Sequence, residues 1–126
     1  MGIPRPLKIL VVDDDQVLNN EVVARLKTAG FFPGQALDGA AALQKMGSSP
    51  FDLVVLDLVM PGISGFDVLK EMQDKNIAIP VVVLSALHQE DDVRRAEKLG
   101  ARECFGKSSP DFIDAVVKYA EMVSES

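Results

Sequence analysis

Leu53-Val54-Val55-Leu56-Asp57 is the stretch on which the fold turns. Four consecutive apolar residues closed by an acid lack the alternation of a strand with one wet face. A bare run of this length fits a parallel strand covered on both faces. Parallel neighbours need long crossovers, usually helices, so the flanking segments must supply them. Moving outward, the same pattern recurs. Ile79 to Leu84 is a second buried strand, ended by Ser85, and Leu7-Lys8-Ile9-Leu10-Val11-Val12 is a third, ended by Asp13-Asp14-Asp15. Phe31 to Leu37 is a weaker strand, interrupted by Pro33 and Gly34, and its proline suits an edge or a strand start. Glu103 to Gly106 is a short strand before Lys107.

Helical signals fill the gaps. Val17, Leu18, Val22, Leu26 and Ala29 recur at helical spacing over residues 16–29, and Gly30 closes the segment. Residues 39–47 form a short Ala-rich helix, stopped by Gly47-Ser48-Ser49-Pro50. Ser64 with Asp67 three residues on forms a shortened capping box for a helix through Phe66, Leu69 and Met72. Val93, Ala96 and Leu99 mark a fourth helix, ending at Gly100. Ser109-Pro110-Asp111 reads as a cap, a proline at the first helical position and an acid in the first turn. Phe112, Ile113, Val116, Val117, Ala120 and Val123 then carry the last helix.

Five strand–helix units with right-handed crossovers predict an α/β fold: a doubly wound parallel five-stranded sheet in a three-layer sandwich. An eight-unit barrel would need about twice the chain. The 126 residues are read as one domain, 1–126, with its core over about 7–122. Apolar runs of four to six residues fall far short of the roughly 18 needed to span a bilayer. No membrane span or signal peptide is therefore expected, and the expected location is the cytoplasm. One cysteine, Cys104, and one histidine, His88, exclude an internal disulfide and multi-histidine zinc sites. His88 reads as an ordinary residue opening a surface helix. Nineteen acids against thirteen bases, a net charge of -6, argue against direct nucleic-acid binding.

The chemistry lies at the strand ends. Asp13-Asp14, Asp57, Ser85 and Lys107 each follow a strand, and parallel strands bring such ends to one rim, where open α/β sheets bind ligands. Converging carboxylates repel unless a divalent cation or a lysine joins them. Oxygen-only ligands suit Mg²⁺ or Mn²⁺. A metal pocket with a carboxylate nucleophile, a hydroxyl and an ammonium reads as phosphoryl-transfer equipment. Neither a Gly-rich phosphate loop followed by Lys-Ser/Thr nor Gly-x-Gly-x-x-Gly occurs, so nucleotide binding is not expected.

Taken together, Ile9-Leu10-Val11-Val12-Asp13-Asp14-Asp15, then Leu56-Asp57-Leu58-Val59-Met60-Pro61-Gly62-Ile63-Ser64-Gly65-Phe66, then Leu84-Ser85-Ala86 and Lys107 resemble the receiver domain of bacterial two-component response regulators. Asp38-Gly39, Ala42-Leu43 and Gly100-Ala101 extend the resemblance to roughly residues 7–122. It implies strand order 2-1-3-4-5 and a Mg²⁺-dependent phosphoacceptor switch within a phosphorelay. Asp57 would take a phosphoryl group from the phosphohistidine of a histidine kinase or histidine phosphotransfer protein. Asp14 and Asp57 would ligate Mg²⁺ directly, Asp13 mostly through water, and the Val59 carbonyl would complete the protein ligands. Ser85 and Lys107 would meet phosphoryl oxygens. Such a domain promotes its own phosphorylation and slow dephosphorylation rather than turning over a substrate. A downstream protein or fused output domain would read its state, and a weak homodimer is a further expected partner.

Several residues depart from that family's usual pattern. Lys107 is followed by Ser108 rather than by proline, so a trans peptide is expected there. Cys104 stands where an aromatic commonly reorients, and Phe105 beside it points to the other face. Val59 and Leu87 replace polar residues that tend to position hydrolytic water, which predicts a long-lived phosphoryl group. Arg94, Arg95 and Lys98 form a basic patch, solvated or partner-facing. Asp15 reads as a cap, Met60 as packing and Cys104 as a buried small residue. Two other functions remain open at this level. One is a receiver-like module that binds partners without phosphorylation. The other is a haloacid-dehalogenase-type phosphatase acting through Asp13, which leaves Asp57 without a role.

Overall fold

The computed structural model describes residues 6–87 and 89–125; His88 lies outside the described residues. Five strands alternate with five helices: β1 Lys8–Val12, α1 Gln16–Thr28, β2 Phe32–Ala36, α2 Gly39–Ser48, β3 Leu53–Leu56, α3 Gly65–Asp74, β4 Val81–Ser85, α4 Glu90–Lys98, β5 Glu103–Gly106 and α5 Phe112–Ser124. The sheet is wholly parallel in the order β2-β1-β3-β4-β5. Each strand alternates its side chains between two cores. Leu10, Val12, Val54, Leu56, Val81 and Val83 face α2, α3 and α4. Ile9, Val11, Leu53, Val55, Val82 and Leu84 face α1 and α5. All four residues of β3 are buried, as a strand with both faces covered requires.

Element boundaries follow local chemistry. The α3 capping box forms as expected: Ser64 Oγ accepts from the Asp67 amide and the Asp67 carboxylate accepts from the Ser64 amide. Asp15 caps α1 through the Leu18 amide. Gly30, at φ +96°, takes the left-handed turn that ends α1. β2 occupies an edge of the sheet, where Pro33 is tolerated.

Three expectations need correction. β4 starts at Val81 rather than Ile79, because Pro80 has no N–H for the ladder; its carbonyl accepts from Val54 instead. α5 starts at Phe112, with Ser109, Pro110 and Asp111 in a turn closed by the Phe112 amide on the Ser109 carbonyl (3.3 Å). The Ser109 hydroxyl is drawn to the Asp111 carboxylate at 2.6 Å, so it does not cap the helix. On α1 the buried face is Asn19, Val22, Val23 and Leu26, whereas Val17 is 79% exposed. Val17 and Asn19 are two residues apart, so they project from different sides of the helix. All described peptide bonds are trans, that after Lys107 included. Among the described residues no helix is long and apolar enough to cross a membrane.

Candidate functional site

Three backbone bonds extend the ladder one residue beyond the strand ends. The amides of Asp13, Asp57 and Lys107 donate to the carbonyls of Ala36 (3.1 Å), Val12 (2.9 Å) and Ser85 (3.0 Å). Sheet register, rather than loop conformation, therefore fixes where these side chains begin. Gly65 lets the start of α3 approach from the other side. A Cβ there would lie 2.3 Å from the Asp57 carbonyl oxygen, so no larger residue fits without moving the helix.

The side chains converge as the strand ends predict. One carboxylate oxygen from each of Asp13, Asp14 and Asp57 lies within 4.8 Å of the others, with Asp13 and Asp57 buried and Asp14 exposed. Two unit charges this close repel by on the order of 3–4 kcal/mol at an effective dielectric constant of about 20. Lys107 relieves part of that repulsion: its Nζ donates to Asp13 Oδ2 at 2.7 Å and to Asp57 Oδ2 at 3.3 Å. Burial works to lower the Lys107 pKa, but the hydrogen bond to Asp13 and the charges of Asp57 and Asp13 outweigh it and hold the ammonium above its ordinary value. For Asp13 the balance is reversed. Burial, joined by the charge of Asp57, raises its pKa and together they outweigh the lowering by Lys107 and by the Asp15 amide.

Ser85, wholly buried, donates its hydroxyl to Asp57 Oδ1 at 2.9 Å and accepts from the Leu87 amide at 3.1 Å. Asp57 Oδ1 also accepts from the Val59 amide at 3.2 Å, while Val59 as a residue is 57% exposed. Every residue named at the strand ends therefore meets in one pocket. Oxygen donors, three of them carboxylates, fit a hard divalent cation, and among the described residues no histidine or cysteine joins the cluster.

The surroundings sort the remaining expectations. Met60 is buried in the core on the α3 side, and Cys104 packs against that core while Phe105 packs on the other, edge-to-face with Tyr119 at 6.4 Å. Burial pushes the Cys104 thiol up to about 11, the opposite of a reactive thiolate. The basic patch on α4 is divided. Arg94 pairs with Glu90 (3.0 Å) and Asp91 (2.5 Å), and Arg95 stacks on Phe66 with its guanidinium carbon 4.1 Å from the ring centre. Sequence reasoning missed Asn19, a buried amide behind Asp13, and the close approach at Gly65. The signal for Asn19 was present: it stands three, four and seven residues before Val22, Val23 and Leu26.

Comparison with known proteins places this arrangement. Residues 9–118 match the response regulator receiver domain family. Sporulation initiation phosphotransferase F of Bacillus subtilis is 34% identical over 122 residues, covering 93% of this chain and 96% of that protein. Response regulator RR06 of Streptococcus pneumoniae is 45% identical over 84 residues, covering 67% of this chain and 38% of that protein. The match spans only 38% of this regulator and 45% of CiaR from the same species. The receiver domain of the Francisella response regulator 1452 superposes with a TM-score of 0.88 at 28% identity, covering 94% of this chain and 97% of that one. The Thermotoga maritima response regulator TrrA, solved in complex with Mg(2+)-BeF, gives 0.80 at 30% identity over 93% and 98% of the two chains. The chain belongs to the response regulator receiver domain family, and its acidic cluster is that of a phosphoacceptor switch with a divalent-metal site.

Proposed function

We propose that Asp57 is the phosphoacceptor, with Asp13, Asp14, Asp57 and the Val59 carbonyl holding Mg²⁺ or Mn²⁺. The observation that carries this reading is the environment of Asp57, a buried carboxylate touched by a hydroxyl, an amide and a lysine beside two further acids. Lys107 sits closer to Asp13 (2.7 Å) than to Asp57 (3.3 Å), so its ammonium is engaged chiefly by Asp13. A bound divalent cation would screen the carboxylates and the incoming phosphoryl oxygens. An Asp57 oxygen attacks the phosphorus of a partner's phosphohistidine. The P–N bond breaks, and its electron pair leaves on the imidazole nitrogen. The Ser85 hydroxyl, released from the Asp57 carboxylate, then donates to a phosphoryl oxygen, and Lys107 pairs with another. The acyl phosphate carries about −2 where the carboxylate carried −1, so a pocket already rich in acids gains further negative charge that a lysine and a cation would balance.

In this reading residues 7–122 act as one receiver unit. Its donors are a histidine kinase or histidine phosphotransfer protein, and a downstream protein or fused output domain reads the state. The relatives support this: one is a phosphotransferase, and RR06 is a response regulator longer than this chain. The test is direct. With a small phosphodonor and Mg²⁺ the protein should gain about 80 Da, removable by hydroxylamine as for an acyl phosphate. Asp57→Asn should abolish the gain while leaving the circular dichroism spectrum unchanged. Modification confined to Ser85, or persisting in Asp57→Asn, overturns the assignment.

A further inference from the structure

Four side chains among the described residues are both polar and buried: Asp13, Asp57, Ser85 and Asn19. The first three belong to the site. The fourth lies wholly buried on α1, where the apolar stripe calls for a hydrophobic residue and where a polar amide must find partners. It finds them in the backbone of the site. Asn19 Nδ2 faces three carbonyl oxygens, those of Val11 (3.3 Å), Asp13 (3.1 Å) and Ala36 (3.2 Å). Three acceptors around one atom require that atom to be the nitrogen, sharing two N–H groups among them. Its Oδ1 accepts from Gln35 Nε2 at 2.9 Å, and Lys45 in turn donates to the Gln35 carbonyl.

The Asp13 carbonyl belongs to the peptide that joins Asp13 to Asp14. The Asp13 amide is already tied to Ala36, so Asn19 holds the other side of the same residue. With both ends fixed, the plane of the Asp13–Asp14 peptide is set, and so is the direction in which the exposed Asp14 leaves the backbone. We infer that Asn19 is a positioning residue for the divalent-cation site, aligning the Asp13–Asp14 peptide so that both carboxylates face Asp57, with Gln35 holding the Asn19 amide in orientation. The inference rests on the divalent-cation reading of that site.

Metal affinity and turnover separate this role from simple packing. Asn19→Leu replaces the amide with an apolar side chain of similar size that suits the stripe. The Mn²⁺ dissociation constant, read by electron paramagnetic resonance, should rise about tenfold, the usual cost of losing a group that orients a ligand. The Mg²⁺ concentration for half-maximal phosphorylation of Asp57 should rise in parallel, while the rate at saturating Mg²⁺ stays within about twofold. Gln35→Leu frees the Asn19 oxygen but leaves the three carbonyls served, and should weaken Mn²⁺ about threefold; it decides alone if Asn19→Leu does not give a cooperative melt. Wild-type Mn²⁺ affinity in the folded variants overturns the inference, as does a loss of rate that saturating Mg²⁺ does not restore. If the unaltered protein shows no Mn²⁺ binding sensitive to Asp14→Asn, the cation reading itself falls and takes this inference with it.

Discussion

At the scale of single residues, Lys107 plays two opposed parts. Its ammonium substitutes for some of the positive charge that the acids call for, and it competes for the same carboxylates as a divalent cation. Lys107→Met should therefore tighten Mn²⁺ binding several-fold, measured by the same resonance titration, while phosphorylation of Asp57 or its conformational readout weakens. Gly65 is constrained by space alone. Gly65→Ala would force α3 away from the Asp57 backbone, and urea denaturation should show a loss of about 1–3 kcal/mol, the usual range for overpacking. Val59 is exposed beside the acceptor and offers no polar atom from its side chain. Val59→Asn should shorten the life of the phosphorylated protein several-fold, followed by intact mass after removal of the donor. These residues were legible to different degrees. Asp13, Asp14, Asp57, Ser85 and Lys107 announce themselves because acids, a hydroxyl and a lysine directly follow apolar runs. Asn19 shows only through its register with Val22, Val23 and Leu26, because a hydrophobic pattern by itself passes over an amide.

At the scale of elements, the caps decide where helices begin. The Ser64 amide and hydroxyl at the start of α3 hold the Asp67 carboxyl below the ordinary aspartate value. A depressed folded pKa contributes stability that is present above the unfolded value of 3.8 and is lost as pH falls through the folded value. Ser64→Ala should cost about 1 kcal/mol at neutral pH by thermal or urea denaturation. An NMR titration of Asp67 in that variant should move back toward 3.8. The elements themselves were readable because β3 and β4 are uninterrupted apolar runs, which only a sheet covered on both faces accommodates. Their ends were less so. Pro80 delays β4 by denying the ladder a donor, and Ser109 turns to Asp111 instead of capping α5. Both outcomes depend on partners that a residue string does not rank.

At the scale of the whole molecule, the two cores separate the responses open to the sheet. Cys104 lies on the side of α3 and α4, is too small to swing between positions as an aromatic can, and is half-covered. With an acyl-phosphate mimic, amide shifts should concentrate in the loops around Asp57 and Ser85 and stay small over residues 103–120. Large shifts across β5 and α5 would contradict this. The β2 edge of the sheet has a separate consequence. The Phe32 amide bonds inward to Leu7, so alternation turns the nitrogen of residue 33 toward the outer rim, where proline supplies no donor. The Gln35 carbonyl on the same strand is already taken by Lys45. A passing strand from another copy thus finds an outward donor missing and an acceptor occupied, which disfavours pairing along the β2 edge. Pro33→Val would restore the donor, and turbidity on prolonged incubation should then rise without any change in phosphorylation.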